Sequence, residues 1–226
     1  MDKESNILNA GNVEDVEESP AVEDVEDRPG FTRKMTREEI AELPIRKYSG
    51  PIHVVQTPEN VVKAVEELSR EEVIGFDTES RPAFKKEQKF LPSLIQLGGS
   101  RSVYIFQLEH VPLGEPLLGL LSNPGIIKTG VALGLDISQL NELAPFEAAG
   151  FIDLGDQAKA SGIQNHGLRG LAGVLLGFRI SKQAQRSNWS MKTLKRNQID
   201  YAATDAWVGR ELYYKFKEMG YLTEVE

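Results

Sequence analysis

The sequence predicts an α/β domain, a central mixed β-sheet flanked by α-helices. Short, wholly apolar runs gather in the first half, which is the mark of buried strands. Helical periodicity dominates the second half. The chain has 226 residues, 40% of them hydrophobic, enough to enclose the core of one domain with a modest extension.

Ile52-His53-Val54-Val55 reads as a first strand. Thr57 and Pro58 supply an N-cap and a first-turn proline, and Val61, Val62, Val65 and Leu68 follow at helical spacing. Val73-Ile74-Gly75-Phe76 is a buried strand. Leu94–Leu97 and Val103–Phe106 are two more, joined through Gly98-Gly99-Ser100-Arg101. Next come a helix near 114–121, a strand at 126–128, a helix over 134–143 and a short strand at 151–153. Helical stretches near 154–161 and 167–176 lead to a long helix over 196–218, with Ile199, Ala202, Ala203, Ala206 and Leu212 on its inner side. Gly170, Gly173 and Gly177 form no phosphate-binding fingerprint, because no strand precedes them.

The formal charge of −8 argues, at face value, against a nucleic-acid partner. Its distribution removes that objection. Residues 1–30 hold ten acids and two bases, so the remainder carries 24 acids and 24 bases. Those first thirty residues repeat a Val-Glu-Asp-Val-Glu pattern without an aromatic. They read as a disordered acidic tail, and one that offers itself to a basic protein partner. Residues 31–50 read as a linking extension, 51–219 as the domain and 220–226 as a C-terminal end. There is no cysteine, which excludes disulfides, thiolate zinc and cysteine nucleophiles. No apolar stretch has the length of a membrane span and no signal pattern opens the chain. A cytoplasmic protein with no membrane partner is expected.

The informative residues are acids in costly places. Asp77 and Glu79 follow the apolar strand at 73–76, and a period of two sends both side chains to one face. Paired carboxylates take up protons unless a cation lies between them. Asp136 follows a strand and a glycine-containing turn; alone it reads as an acid favoured by a helix dipole. Tyr201 and Asp205 are four apart and project from one helix face. Ala202, Ala203 and Ala206 let that helix lie close to the sheet.

Asp77-Thr78-Glu79 after a strand, Gly130-x(5)-Asp136-x(3)-Leu140, and Tyr201-x(3)-Asp205 in a late helix resemble the three motifs of the DEDD exonucleases. A tyrosine four residues before the last aspartate marks the DEDDy branch, and none of His53, His110 and His166 lies near Asp205 in the sequence. The resemblance covers roughly residues 51–219. It takes in Leu91–Leu97 and Asn188-Trp189-Ser190, and is nearest to ribonuclease D and Werner-type exonuclease domains. It implies an RNase H-like, DnaQ-like fold and 3′→5′ hydrolysis of phosphodiester bonds releasing nucleoside 5′-monophosphates. It further implies two divalent cations held by Asp77, Glu79, Asp136 and Asp205. Hard carboxylate oxygens suit Mg²⁺ or Mn²⁺ rather than zinc. Tyr201, whose phenol ordinarily titrates near pH 10, is assigned to orienting the attacking water.

The partner implied is the 3′ end of a single-stranded or frayed nucleic acid, DNA or RNA. Residues 179–217 carry nine bases and three acids, an excess that suits a phosphate backbone. Within it Arg179, Lys182 and Arg186 with Trp189 are the expected grip, the tryptophan stacking a base; the plainer reading puts Trp189 in the core. The alternative to an enzyme is a non-catalytic nucleic-acid-binding or interaction module that keeps the fold.

Overall fold

The computed structural model describes residues 28–222 except 84, 86 and 87. The acidic residues 1–27, expected as a disordered tail, therefore lie outside the described residues, as do 223–226.

The apolar runs pair into one six-stranded sheet. Its strands are β1 (Ile52–Val55), β2 (Val73–Ser80), β3 (Pro92–Gly98), β4 (Val103–Gln107), β5 (Ile127–Gly130) and β6 (Phe151–Asp153), in the order β1-β4-β3-β2-β5-β6. β2, β3 and β4 form an antiparallel meander, while β1, β5 and β6 join in parallel at its two sides. The sheet is thus mixed, as expected. The β3–β4 connection closes with Gly99 N–H donating to Ser102 O at 2.9 Å.

β2 has different chemistry on its two faces. Ile74 and Phe76 pack with α2 (Pro58–Leu68), α3 (Leu117–Leu121) and α4 (Leu133–Leu143) in one core. In α2, Asn60 N–H donates to the Thr57 hydroxyl and Pro58 opens the helix. The buried stripe is Val61, Ala64, Val65 and Leu68. Val62, expected in it, is 45% exposed, since one residue past Val61 lies about 100° around the helix.

The other face meets α7 (Arg196–Glu218), with α5 (Leu154–Ala160), α6 (Leu168–Leu171) and the π-helical turn Ala172–Leu176 beside it. Ala202, Ala203 and Ala206 of α7 are buried, and the sheet answers with glycine. A Cβ on Gly75 would overlap the Ala206 carbonyl oxygen, so only hydrogen fits there. Val208, Leu212 and Phe216, fully buried further along α7, contribute about 1.5–3 kcal/mol each.

Residues 31–50, expected as a linking extension, are folded against the domain. Thr36 and Glu39 form a capping box that starts α1 (Arg37–Glu42). Arg33 grips Glu39 through two hydrogen bonds of 2.9 and 2.6 Å, holding that carboxyl down at about 2. The Asn165 amide bonds both the N–H and C=O of Met35. Arg46 N–H donates to Arg179 O, and Arg179 N–H to Pro44 O, at 2.9 and 3.0 Å. Tyr48 N–H reaches the Thr204 hydroxyl on α7. No helix among the described residues is long and apolar enough to cross a membrane.

Candidate active site

The site lies where the end of β2 meets α7. β2 continues past its apolar run to Ser80, which carries Asp77 and Glu79 out on the α7 face beyond Gly75. α7 crosses close enough to bring Asp205 to them. One carboxylate oxygen from each of Asp77, Glu79 and Asp205 lies within 4.8 Å of the others.

This arrangement is electrostatically expensive without a cation. Burial raises Asp77 well above the usual carboxylate range, and the charges of Asp205 and Asp136 add to it. Glu79 is pushed up to about 10 by burial and then by Asp77, Asp205 and Asp136, with Arg169 opposing. Asp205 is pushed up to about 7 by burial, against a hydrogen bond from Tyr201 and the charge of Arg169. Oδ1 of Asp205 is buried without a hydrogen-bond partner among the described residues. Converging hard oxygens, one of them unpartnered, fit a divalent cation of the Mg²⁺ or Mn²⁺ kind.

Asp136 stands outside this trio. It sits in the first turn of α4, whose start is fixed by Asp153: that carboxylate accepts from the N–H groups of Ala132 and Leu133 at 3.1 and 2.8 Å. Ala132 itself adopts φ 63°, in the left-handed region, an uncommon backbone for a residue with a Cβ. The Asp136 carboxylate accepts a hydrogen bond from Thr78, whose side chain alternates with Asp77 and Glu79 on β2. Burial raises Asp136 as well, opposed by that hydrogen bond.

Tyr201 lies one turn before Asp205 on α7. Burial and the charges of Asp205 and Glu79 push its phenol up, so it remains protonated at neutral pH. Trp189, expected as a stacking platform for a base, is 0% exposed. Its ring packs 5.8 Å from that of Tyr201, so it backs the tyrosine and offers no face to a strand. The cause is tertiary: Ala184, Leu194 and Ala202 close over it in one core cluster. Lys182 and Arg186 are exposed.

A cavity of about 510 Å³ opens in front of the acids, lined by Asp77, Thr78, Glu79, Arg169, Tyr201 and Asp205 among others. Arg169 was not anticipated. Its guanidinium donates to the Tyr201 hydroxyl at 3.3 Å and to Ser181 O and Gln185 Oε1 at 3.2 Å. A lone base between Gly167 and Gly170 carries no local signal of this role. Gln96, inside the Leu91–Leu97 stretch of the resemblance but given no role there, pairs with Asp77 across β2–β3, and its amide is buried without a partner among the described residues.

A family model described as 3′–5′ exonuclease matches residues 52–220. DNA polymerase I of Aquifex aeolicus is 30% identical over 161 residues, 71% of this chain and 26% of that protein. The bifunctional 3′–5′ exonuclease/ATP-dependent helicase WRN of Mus musculus is 34% identical over 70% of this chain and 12% of its own length. Ribonuclease D of Acidiphilium cryptum is 33% identical over 71% and 41%. The chain thus spans less than half the length of each of these relatives. Among solved structures, the EXO domain of Aedes aegypti Nibbler superposes with a TM-score of 0.68 at 21% identity, covering 77% of this chain and 94% of that one. Escherichia coli RNase D gives 0.66 at 21%, covering 76% and 46%. These two share its fold. The family match begins with β1 and ends just beyond α7, so the whole sheet and both elements that meet at the carboxylates fall within it; the chain belongs to the 3′–5′ exonuclease family.

Proposed function

We propose that this chain hydrolyses phosphodiester bonds at the 3′ ends of single-stranded or frayed nucleic acid, DNA or RNA, releasing nucleoside 5′-monophosphates. The observation that carries this is the convergence of Asp77, Glu79 and Asp205, with Asp205 Oδ1 unpartnered, in an open cavity beside a protonated tyrosine. Mg²⁺ or Mn²⁺ would be held by these three acids together with Asp136. Two such cations would supply an activated water and charge neutralisation at the leaving oxygen.

The chain's own residues do the positioning. With its proton retained, Tyr201 is suited to orient a water by hydrogen bonding and unsuited to remove a proton from it. Arg169 fixes that hydroxyl and brings positive charge to the cavity lining. Trp189 holds the ring from behind. Lys182 and Arg186, both exposed, would meet phosphates. Assignment to the DEDDy branch is supported by Tyr201 one turn from Asp205, with no histidine lining the cavity among the described residues. The reading includes a cytoplasmic location, in keeping with a chain that has no cysteine, and a basic protein partner for the acidic residues 1–30.

The test is degradation of matched 5′-labelled DNA and RNA single strands in Mg²⁺, Mn²⁺ and EDTA. Stepwise shortening from the 3′ end that stops in EDTA is expected. Tight binding without shortening in either metal would leave only a binding module.

A further inference from the structure

We propose that residues 36–47, which precede the region shared with the family, form one wall of a phosphate-binding groove that receives the single strand upstream of the scissile bond. This rests on the exonuclease reading and extends it to residues outside the family match, which begins at 52.

A cavity of about 350 Å³ separates this N-terminal strap from residues 179–183. Arg37 and Ile40 line it from the strap; Arg169, Arg179 and Lys182 line it from the opposite side. Arg169 also lines the catalytic cavity, so the two spaces adjoin at that side chain. A second cavity of about 400 Å³, bordered by Ile45, Arg46 and Lys47, shares Tyr201 and Asp205 with the catalytic one. The strap therefore borders two spaces, one adjoining the catalytic cavity at Arg169 and one sharing Tyr201 and Asp205 with it.

The charges lining the first groove have one sign. Four cations and no acid line the first groove. Arg37, Ile40 and Ala41, at i, i+3 and i+4, put one face of α1 into it. Glu38, Glu39 and Glu42 fall on the rest of the helix surface, and Glu39 is already committed to Arg33. In the second cavity Asp200 is offset by Lys47 at 2.9 Å and Arg196 at 2.7 Å. Neither Arg37 nor Lys182 makes an ion pair among the described residues, and both are exposed. Such charges suit a ligand that brings its own anions. Ile45, 57% exposed, adds an apolar surface against which a base or sugar can lie.

The groove is pre-formed. Backbone hydrogen bonds between Arg46 and Arg179 and between Arg179 and Pro44 fix the strap, and Arg179 Nε donates to Leu43 O at 3.0 Å. Arg37 and Lys182 consequently face the same channel without a folding step on binding. A polyanion whose 3′ end sits at the carboxylates meets these cations next.

The test is fluorescence anisotropy of the full chain with 5′-labelled oligo-dT and oligo-rU strands of about 12 nucleotides. It is run in Ca²⁺, with strand integrity checked on a gel, over a range of salt. Each phosphate contact on a single strand contributes about 0.7 to the slope of log K against log salt. Arg37→Ala and Lys182→Ala should each lower that slope by about 0.7, and the double variant by about 1.4, with affinity down about tenfold at 0.1 M salt. Lys63→Ala, exposed on α2 across the sheet, should match the unsubstituted chain. A double variant that binds with the unsubstituted slope and affinity overturns the groove while leaving the exonuclease intact. An unsubstituted chain that neither binds nor shortens either strand overturns the exonuclease reading, and the groove with it.

Discussion

The Arg169 guanidinium donates to the Tyr201 hydroxyl at 3.3 Å, and Arg169 is the one cation lining the catalytic cavity among the described residues. It acts as a positioning residue with a measurable electrostatic signature, because its charge opposes the upward shifts of Glu79 and Asp205. In EDTA, Arg169→Gln should be less stable than the unsubstituted protein at pH 8, where these acids are more ionised. The gap should close toward pH 5, where they are protonated. Arg169→Lys restores the charge and should restore the stability profile. Urea unfolding at the two pH values measures this; a gap independent of pH would assign Arg169 a packing role alone.

Tyr201→Phe keeps the ring against Trp189 and removes only the hydroxyl. The rate should fall about a hundredfold, in the range of a lost general acid–base or water-orienting group. Calorimetric Mg²⁺ affinity should stay within about twofold, because the carboxylates are untouched. Full activity in this variant removes the hydroxyl from the reaction.

Stability should depend on pH in an unusual sense. Asp205 and Glu79 have folded pKa values of about 7 and about 10, above their ordinary ones. The folded protein therefore binds more protons than the unfolded chain, and stability falls as pH rises. Asp205 contributes its loss between about pH 4 and 7, and Glu79 continues it toward pH 10. In EDTA, Tm should decline from pH 5 to 9. Mg²⁺ should raise Tm more at pH 8 than at pH 5, since at low pH protons compete for the same oxygens. A Tm that climbs with pH in EDTA is the opposite result.

The approach of α7 to the sheet can be tested at Gly75, with Gly134 as the control. Gly75→Ala forces a Cβ onto the Ala206 carbonyl, and should cost about 3 kcal/mol or more in urea unfolding. Because Asp205 rides on the same helix, activity should fall with it. Gly134→Ala, in α4 with nothing within 4 Å of the added Cβ, should be neutral or stabilising by up to about 1 kcal/mol.

What was legible in the sequence follows from how local each feature is. α7 runs from Arg196 to Glu218, as its small-residue stripe and length indicated. The pairing of Asp77 with Glu79 on one face follows from strand period alone. Asp205 joins them because Tyr201, Asp205 and the alanines all share the side of α7 that meets the sheet. The strap was not legible. Its partners lie far along the chain, Asn165 being 130 residues from Met35, and its charged residues show no periodicity. Trp189 left two readings open because aromatics stack bases and fill cores equally well, and only the packed neighbours decide for the core. Asp136 was placed on the correct turn, but its hydrogen bond with Thr78 belongs to a side-chain conformation that no spacing encodes.

The most direct measurement follows a single strand whose 3′-terminal nucleotide carries the label, incubated with the full chain in Mg²⁺ and in Mn²⁺. Release of that label as a nucleoside 5′-monophosphate, before any loss from the 5′ end and absent in Asp77→Ala and in EDTA, is the predicted result. A 3′ label that survives in both metals, or that is released equally by Asp77→Ala, would contradict the assignment of the carboxylate cluster as a 3′→5′ exonuclease centre.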